Sequence, residues 1–184
     1  MPYEINVGLF PAFGGRPEDL PAYVGAHALM MSFQGIPALY ARSLLASPNN
    51  LALVQQTGRT RSINRGHWAM EELEPLLADE ASVHAQALAQ IGRALRCRAE
   101  QPAFAPDADQ RVYPSPPGAF LMIRESRRQT LLVIASVRGE PQSLLLSGIG
   151  LPTGEFEELL TGRRVRVEDE LTLAPYQAMW LQVA

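Results

Sequence analysis

Apolar residues recur at three- and four-residue spacing in two stretches of the chain, and each stretch predicts a helix buried on one side. The first helix is predicted over residues 18–33 and the second over about residues 80–100. Gly35 separates the first helix from Ile36–Tyr40, a short apolar run that is predicted to be a strand with Pro37 at its start or at a bulge. The positions that define the helices are Leu20, Val24, Ala28 and Met31, and then Val83, Ala87, Leu88, Ile91 and Leu95.

The rest of the chain shows two other patterns. Residues 43–75 are rich in Asn, Gly, Ser, Thr and Arg and have no regular apolar period, which predicts a long loop that is either functional or disordered. After Pro106, short β-type runs alternate with turn residues and predict an antiparallel sheet or small sandwich. These runs are 119–123, 130–137, 142–146, 163–167 and 178–183.

The order of these elements favours one architecture. A single buried strand between two helices does not form a stable sheet by itself. The same order fits the end of a (β/α)8 barrel, with residues 36–40 as the eighth strand. We therefore predict an α/β plus all-β fold, in which the truncated C-terminal end of a (β/α)8 TIM barrel (two main helices and one strand) occupies 1–104. A small antiparallel β-sheet or sandwich domain occupies 105–184.

Composition and charge exclude several classes of protein. The net charge of −3 gives no general attraction to nucleic acid or anionic lipid. The chain has no apolar run near the length of a membrane span and no signal peptide at its start, so we predict a cytoplasmic protein without membrane partners. The single cysteine, Cys97, excludes an internal disulfide and is predicted to be a partly buried thiol. All 16 basic residues are arginine; coding bias of the source organism explains most of this, and for one cluster the planar donors also suit phosphate and hydroxyl-rich ligands.

An arginine-rich stretch carries the most specific signal. Thr57–Arg65 reads Thr-Gly-Arg-Thr-Arg-Ser-Ile-Asn-Arg and follows the motifs Tyr3-Glu4-Ile5-Asn6 and Gly35-Ile36-Pro37. Together these motifs resemble the C-terminal portion of the sucrose phosphorylase-like glycoside phosphorylases of the α-amylase superfamily (glycoside hydrolase family 13). Within that family they are most similar to the glucosylglycerate phosphorylase-like subgroup. The resemblance continues through Arg98–Phe104 and Leu173–Leu181.

The sequence departs from this family at two places. Asn49-Asn50 stands where many relatives carry Asn-Asp, which alters whatever that acid orients. Glu4 matches one subgroup, whereas sucrose-specific members more often carry Gln there. The second departure favours glucosylglycerate over sucrose as the substrate.

The resemblance implies a retaining reaction in which an α-glucoside and phosphate give α-glucose 1-phosphate and the freed acceptor, reversibly. Such a transfer uses a carboxylate nucleophile and a carboxyl acid/base. No pair in this chain is suited to these roles; Glu71, Glu72 and Glu74 and the acids of the β-domain, Glu158 among them, are predicted to be solubilising surface charges. We therefore predict no catalytic residue, a chain that is inactive alone, and a parent enzyme that needs inorganic phosphate as co-substrate but no other cofactor and no metal.

The same resemblance implies binding roles for a few residues in the intact enzyme. Arg61 is expected to donate to a sugar, acceptor or phosphate oxygen, and Tyr3 and Glu4 are expected to contact the acceptor. Asn64 and Arg65 are expected to support the loop. Three histidines complete the candidates: His27 is predicted to be a core residue, His84 to be exposed, and His67-Trp68 to be either a sugar-stacking pair or part of a packed loop.

Two alternative functions remain open from the sequence. The chain is either a non-catalytic carbohydrate-binding or interaction module, or a subunit of a split enzyme that a partner completes. The few aromatic residues of the β-domain argue against a sugar-binding platform. In each case, removing the remainder of the barrel predicts an exposed apolar patch on Leu20–Met31 and Ile36–Tyr40, and hence a dimer or other self-association.

Overall fold

The computed structural model describes residues 5–146 and 153–183, in which helices come first and antiparallel strands follow. The helices are α1 Leu9–Ala12, α2 Leu20–Ser32, α3 Ala41–Leu44, α4 Leu51–Thr57, α5 Met70–Ala78 and α6 Val83–Glu100. Short 3₁₀ turns lie at Pro17–Asp19, Thr60–Asn64 and Pro102–Phe104. The predicted order of helices followed by a β-domain is confirmed, and so are the two long helices.

The contacts divide the chain into two compact units. One comprises the residues up to Tyr23 together with 38–92, and the other comprises 24–37 together with the residues from Arg93 onward. Helix α2 and helix α6 therefore each contribute to both units. The units are defined by contacts between residues and do not test the predicted domain boundary. The boundary between residues 104 and 105 therefore stays a prediction.

The segment Ile36–Tyr40 is not a strand, contrary to the sequence prediction. Within the described residues no strand precedes Asp109, so this segment has no neighbouring strand with which to pair. Pro37 also lacks the N–H that a central strand would donate. Ile36 is 83% exposed and Tyr40 is 55% exposed. The segment is an extended connection after α2.

The stretch 43–75 is also more ordered than predicted, because α4, α5 and the turn at Thr60–Asn64 lie within it. Helix α4 begins at Asn50, whose Oδ1 accepts from the N–H of Leu53 at 2.8 Å. It ends at Gly58, which adopts the left-handed conformation with φ 65°. Helices of one or two turns repeat an apolar position too few times to show a period, which is why the sequence indicated a loop.

Within the described residues the β-domain contains two antiparallel sheets. The strands are β1 Asp109–Tyr113, β2 Ala119–Ser126, β3 Gln129–Ser136, β4 Gln142–Leu145, β5 Gly154–Glu158, β6 Arg163–Val167, β7 Glu170–Leu173 and β8 Ala178–Val183. The larger sheet has the order β1-β2-β3-β8-β5-β6, and β4 pairs with β7 in the smaller one. The five predicted runs are confirmed as β2, β3, β4, β6 and β8.

The apolar faces of both sheets contribute to one core, as expected for a small sandwich. In β2 and β3 the residues of this core alternate with residues of the other face, several of which are buried as well. The core residues are Leu121, Ile123, Leu132, Ile134, Leu144, Leu146, Phe156, Val167, Leu171, Leu173, Met179 and Leu181. This core accounts for the stability of the β-domain without any disulfide.

Two arginines hold the C-terminal end of α2. Arg98 donates from Nε to the carbonyl oxygen of Met31 at 2.7 Å and from Nη2 to that of Gly35 at 2.8 Å. Arg124, which is fully buried, donates from Nη1 to the carbonyl oxygen of Ser32 at 2.9 Å. The last carbonyls of a helix have no partner within it and carry partial negative charge, so two guanidinium groups stabilise this end.

An aromatic ring lies against both guanidinium groups. The ring centroid of Phe104 is 5.5 Å from the Cζ of Arg98 and 5.8 Å from the Cζ of Arg124. The same ring contacts Trp180 edge-on, at 4.7 Å between centroids. We call Arg98, Phe104 and Arg124 the α2 clamp. This packing gives a physical reason for the Arg98–Phe104 sequence that links the last helix to the β-domain.

Helix α2 is more buried than predicted. Leu20 is 4% exposed, and Tyr23 and Met31 are fully buried. The expected apolar patch is therefore absent from this helix except at Met30, which is 37% exposed. Among the helices of the described residues, none is both long enough and apolar enough to cross a membrane.

Candidate functional site

Three arginines lie in the segment Pro48–Gly66, which we call the arginine segment. It consists of α4, the glycine turn at Gly58 and the 3₁₀ turn Thr60–Asn64. Its two halves are hydrogen-bonded to each other: the N–H of Asn50 donates to the carbonyl oxygen of Ile63 at 2.7 Å. The segment is thus a closed loop, although it looks irregular in the sequence.

A second contact joins the two turns of this segment. The hydroxyls of Thr57 and Ser62 are 2.7 Å apart. The N–H of Arg59 lies 3.3 Å from the Thr57 hydroxyl oxygen, to which it donates. The side chains of Arg59, Arg61 and Arg65 are all exposed on this closed loop. Exposed guanidinium groups on an ordered backbone are suited to binding anionic or hydroxyl-rich ligands.

The two residues predicted to support the loop make different backbone hydrogen bonds. Asn64 accepts through its carbonyl oxygen from the hydroxyl of Tyr40 at 3.2 Å. Arg65 donates its backbone N–H to the carbonyl oxygen of Ser62 at 3.1 Å, while its side chain is exposed. The roles assigned to Arg61, Asn64 and Arg65 stay predictions. Tyr3 and Glu4 lie outside the described residues.

Arg42 is a contributor that the sequence did not reveal. Its Nη1 donates to the carbonyl oxygen of Gly66 at 2.6 Å, and its Nη2 donates to that of Pro48 at 2.9 Å. The guanidinium therefore joins the two ends of the arginine segment. Arg42 stands shortly after Ile36–Tyr40, among residues with no recognisable motif, so nothing in the pattern indicated this contact.

A cavity of about 180 Å³ lies beside this loop. Its polar lining comes from a guanidinium, a phenol, two serine hydroxyls and an amide, and the described residues contribute no carboxylate to it. The lining residues are Val7, Gly8, Leu9, Phe10, Ala12, Tyr40, Arg42, Ser43, Ser47, Pro48 and Asn64. Donor-rich side chains with one positive charge suit hydroxyl-bearing or anionic ligands better than cations.

The asparagine pair at 49 and 50 has structural roles in this chain. Asn49 Oδ1 accepts from the N–H of Gly8 at 2.7 Å, which connects the start of α1 to the arginine segment. Asn50 Oδ1 caps α4 through Leu53, a role that an aspartate performs equally well. The departure from Asn-Asp therefore retains the helix cap.

Trp68 is half-buried and packs inside this unit. Its Nε1 donates to Ser47 Oγ at 2.9 Å, and its ring meets that of His84 edge-on at 5.3 Å. His84 Nδ1 also lies 2.7 Å from the carbonyl oxygen of Leu45. His84 is therefore partly buried, and the prediction that it is exposed is wrong. The structure favours the packed-loop interpretation of Trp68.

The acids of the β-domain include one that is not solubilising. Glu158 is 3% exposed, so the prediction of a surface charge is wrong for this residue. Its carboxylate accepts from the N–H groups of Leu160 at 3.1 Å, Thr161 at 2.9 Å and Trp180 at 3.2 Å. These three N–H groups and the hydroxyl of Thr161, which also donates to this carboxylate, belong to the β-domain, so Glu158 fixes the β5–β6 turn.

The described ranges, 5–146 and 153–183, bring together no group of three or more His, Cys, Asp or Glu residues that could hold a metal ion. His27 is 3% exposed, in agreement with its prediction as a core residue.

Cys97 is expected to react slowly with iodoacetamide in the folded chain. Burial, with a smaller contribution from Glu158, raises the pKa of this thiol from 9.0 to about 11, and the thiolate is the reactive form. We expect alkylation at about pH 8.5 to be roughly 100-fold slower in the folded chain than in urea, as measured by mass spectrometry. Equal rates in both states would contradict this burial. Since folding raises this pKa, its contribution to stability is complete below about pH 9 and is lost as the pH rises toward 11.

Comparison with known proteins identifies relatives of this chain. No family model matches the chain. A glucosylglycerate phosphorylase from Allomeiothermus silvanus is 34% identical over 187 residues, which cover 98% of this chain and 31% of the relative. A glucosylglycerate phosphorylase from Escherichia coli (strain K12) is 28% identical, with coverage of 98% of this chain and 32% of the relative. The chain thus spans about a third of the length of the curated relatives it matches.

A solved structure shows the same fold. An α-amylase from Anoxybacillus matches with a TM-score of 0.69 and 19% identity, over 90% of this chain and 33% of the amylase. Helices followed by an antiparallel β-domain therefore form part of an α-amylase-type enzyme fold, as the sequence predicted.

Proposed function

Because the chain belongs to the sucrose phosphorylase-like glycoside phosphorylases of the α-amylase superfamily, we propose that it forms the C-terminal part of a retaining glycoside phosphorylase. The reaction converts an α-glucoside and phosphate to α-glucose 1-phosphate and the freed acceptor, reversibly, with glucosylglycerate as the favoured glucoside. The observation that carries this proposal is the 34% identity to a glucosylglycerate phosphorylase across 98% of the chain.

The chain's own residues contribute binding and not bond cleavage. A retaining transfer needs two carboxyl groups about 5 Å apart. Glu158, the buried carboxylate of the described residues, is occupied by backbone donors. The remainder of the barrel supplies the nucleophile and the acid/base in this proposal, and the chain alone is inactive.

Arg61 carries the proposed binding role. Its exposed side chain extends from a 3₁₀ turn that the hydrogen bonds of the arginine segment keep closed. In the intact enzyme it donates to an oxygen of the phosphate or of the transferred glucose, while Tyr3 and Glu4 contact the acceptor. Asn64 and Arg65 support the loop. The proposed partners are therefore phosphate, an α-glucoside and the remainder of the barrel, in a cytoplasmic enzyme.

Two features of the structure give less support to a carbohydrate-binding module. Trp180 is fully buried against Phe104, and Phe156 is 1% exposed. A sugar platform needs aromatic faces that are open to solvent. Self-association stays a proposal, and Ile36 and Tyr40 are the exposed apolar residues that it would cover.

Replacing Arg61 with alanine tests this function. In the longer protein that includes this chain, we expect phosphorolysis of glucosylglycerate to release α-glucose 1-phosphate. We expect Arg61→Ala to lower kcat/KM for phosphate by roughly 10- to 100-fold, since a charge-assisted hydrogen bond contributes about 1.5–3 kcal/mol. Product release is followed with a coupled assay, and glucosylglycerol, sucrose and sucrose 6′-phosphate are compared as alternative glucosides.

Arg96→Ala is the control, because Arg96 is an exposed arginine of α6 outside the arginine segment. Its kinetics should match those of the unsubstituted protein. Absence of phosphate-dependent release from every glucoside would refute the phosphorylase proposal and favour a hydrolase or a binding protein. Activity that appears only after addition of a separate barrel subunit would indicate a split enzyme.

A further inference from the structure

Arg42 makes the contact that joins both ends of the arginine segment. Gly66 ends the segment and Pro48 begins it, and their carbonyl oxygens accept from the two terminal nitrogens of the same guanidinium at 2.6 Å and 2.9 Å. A guanidinium presents these donors in a rigid planar fork. It can therefore fix the separation of two carbonyls, whereas a neutral or single-point donor binds only one of them.

The other contacts of the segment act within it or on one end. The N–H of Asn50 bonds to the carbonyl oxygen of Ile63, and the Tyr40 hydroxyl bonds to that of Asn64. Among the described residues, Arg42 is the charged group that bridges Pro48 and Gly66. The bond to Gly66 is partly buried, which makes it stronger than a fully solvent-exposed one would be, while the bond to Pro48 is exposed.

We infer that Arg42 is a positioning residue, which holds the arginine segment closed so that Arg61 meets its ligand oxygen. This inference rests on the proposed function for its catalytic consequence. Arg42 acts through the backbone on either side of Arg61 and requires no contact with substrate. A lysine at this place keeps the charge but presents its donors from a single nitrogen and lacks the planar two-nitrogen fork, so the fork and not the charge is the required property.

Hydrogen–deuterium exchange of the 184-residue chain tests the holding role without catalysis. We expect Arg42→Lys to accelerate exchange over residues 57–66 by roughly tenfold, because local opening of the segment becomes easier. Arg59→Lys is the matched control, since this arginine lies in the same segment with an exposed side chain. Its exchange over the same residues should equal that of the unsubstituted chain. Unchanged exchange in Arg42→Lys would overturn the inference, whether or not the longer protein is active.

Kinetics of the longer protein test the positioning role. We expect Arg42→Lys to raise KM for phosphate by roughly tenfold while kcat changes less than about twofold, because Arg61 contributes to binding. Added guanidinium ion should restore most of the lost affinity in Arg42→Ala. A loss of kcat at unchanged KM would indicate fewer correctly folded molecules, and would overturn positioning in favour of a structural role alone.

The two proposals fail in different ways. Absence of phosphorolysis in the unsubstituted protein refutes the proposed function, and the exchange measurement then decides the holding role alone. Normal phosphorolysis with an unaltered KM in Arg42→Lys refutes positioning and leaves the proposed function intact.

Discussion

Replacing Arg124 with methionine is expected to destabilise the folded chain by about 3–5 kcal/mol, since several buried carbonyl oxygens lose a donor at roughly 1 kcal/mol or more each. The guanidinium donates to Ser32 at 2.9 Å, to Ala105 at 3.0 Å, and to Ala108 and Asp109 at 3.3 Å, in every case to the carbonyl oxygen. Methionine fills a similar volume but donates nothing, so the loss measures the hydrogen bonds and the charge rather than packing.

Arg124 is unusual because its buried positive charge is hydrogen-bonded to backbone carbonyl oxygens. Burial, and then the neighbouring Arg98, lower the pKa of Arg124. The end of α2 and the connection 105–109 supply partial negative charge in place of a carboxylate. Removing Arg124 therefore leaves carbonyl dipoles without a hydrogen-bond donor, but it does not leave a carboxylate without its counter-ion.

Urea unfolding followed by circular dichroism measures this effect. Arg128→Met is the control, because Arg128 lies in the β2–β3 turn of the same hairpin and its side chain is exposed. We expect it to change the free energy of unfolding by less than about 0.5 kcal/mol. If Arg124→Met lowers the free energy of unfolding by less than about 1 kcal/mol, water replaces the guanidinium and the α2 clamp is unimportant for stability.

Gly25→Ala is the second change with a large expected effect. A Cβ at this place in α2 would lie 2.2 Å from the carbonyl oxygen of Tyr176. That carbonyl cannot move away easily, because Tyr176 adopts a left-handed conformation with φ 54° and its N–H donates to the carbonyl oxygen of Arg138 at 2.9 Å. We expect a net destabilisation of about 2–3 kcal/mol, typical of overpacking.

The sign of the change in the free energy of unfolding is informative, because helix propensity alone would make Gly25→Ala stabilising. Alanine in a helix interior is favoured over glycine by about 1 kcal/mol, so an unobstructed site would be stabilised. The adjacent Ala26→Gly measures that propensity in the same helix and should cost about 1 kcal/mol. Thermal unfolding of both variants decides the matter: a higher Tm for Gly25→Ala would rule out the close approach to Tyr176.

The sequence predicted those elements in which a buried face repeats several times. Helix α6 and strands β2 and β3 have long apolar patterns, and all were anticipated. Strand β5 reads Gly-Glu-Phe-Glu-Glu, in which Phe156 and Glu158 are the buried positions, so its apolar period is too short to see. Strand β1 has no fully buried residue and is an edge strand of its sheet, which removes the apolar signal altogether.

The candidate site was predicted by motif and not by geometry. The arginines of Thr57–Arg65 were anticipated because this stretch resembles a family motif. Arg42 was missed because its guanidinium bonds to the backbone carbonyls of Pro48 and Gly66. Every residue type has such a carbonyl, so the sequence of the two partners does not reveal the contact. Glu158 was misjudged for the same reason: apart from the Thr161 hydroxyl, its partners are backbone N–H groups, which every residue except proline offers.

The strand order of the larger sheet has a consequence for biosynthesis. Strand β8 follows every other strand in the chain, yet it lies between β3 and β5 in the sheet. A nascent chain that has not yet reached Ala178 therefore presents two separate sheet fragments, each with an unpaired edge. Such edges recruit other chains, and the risk lasts until translation delivers the missing strand. The sheet cannot be completed progressively during synthesis; its assembly waits for β8, which makes the time spent translating residues 137–177 a period of vulnerability to aggregation.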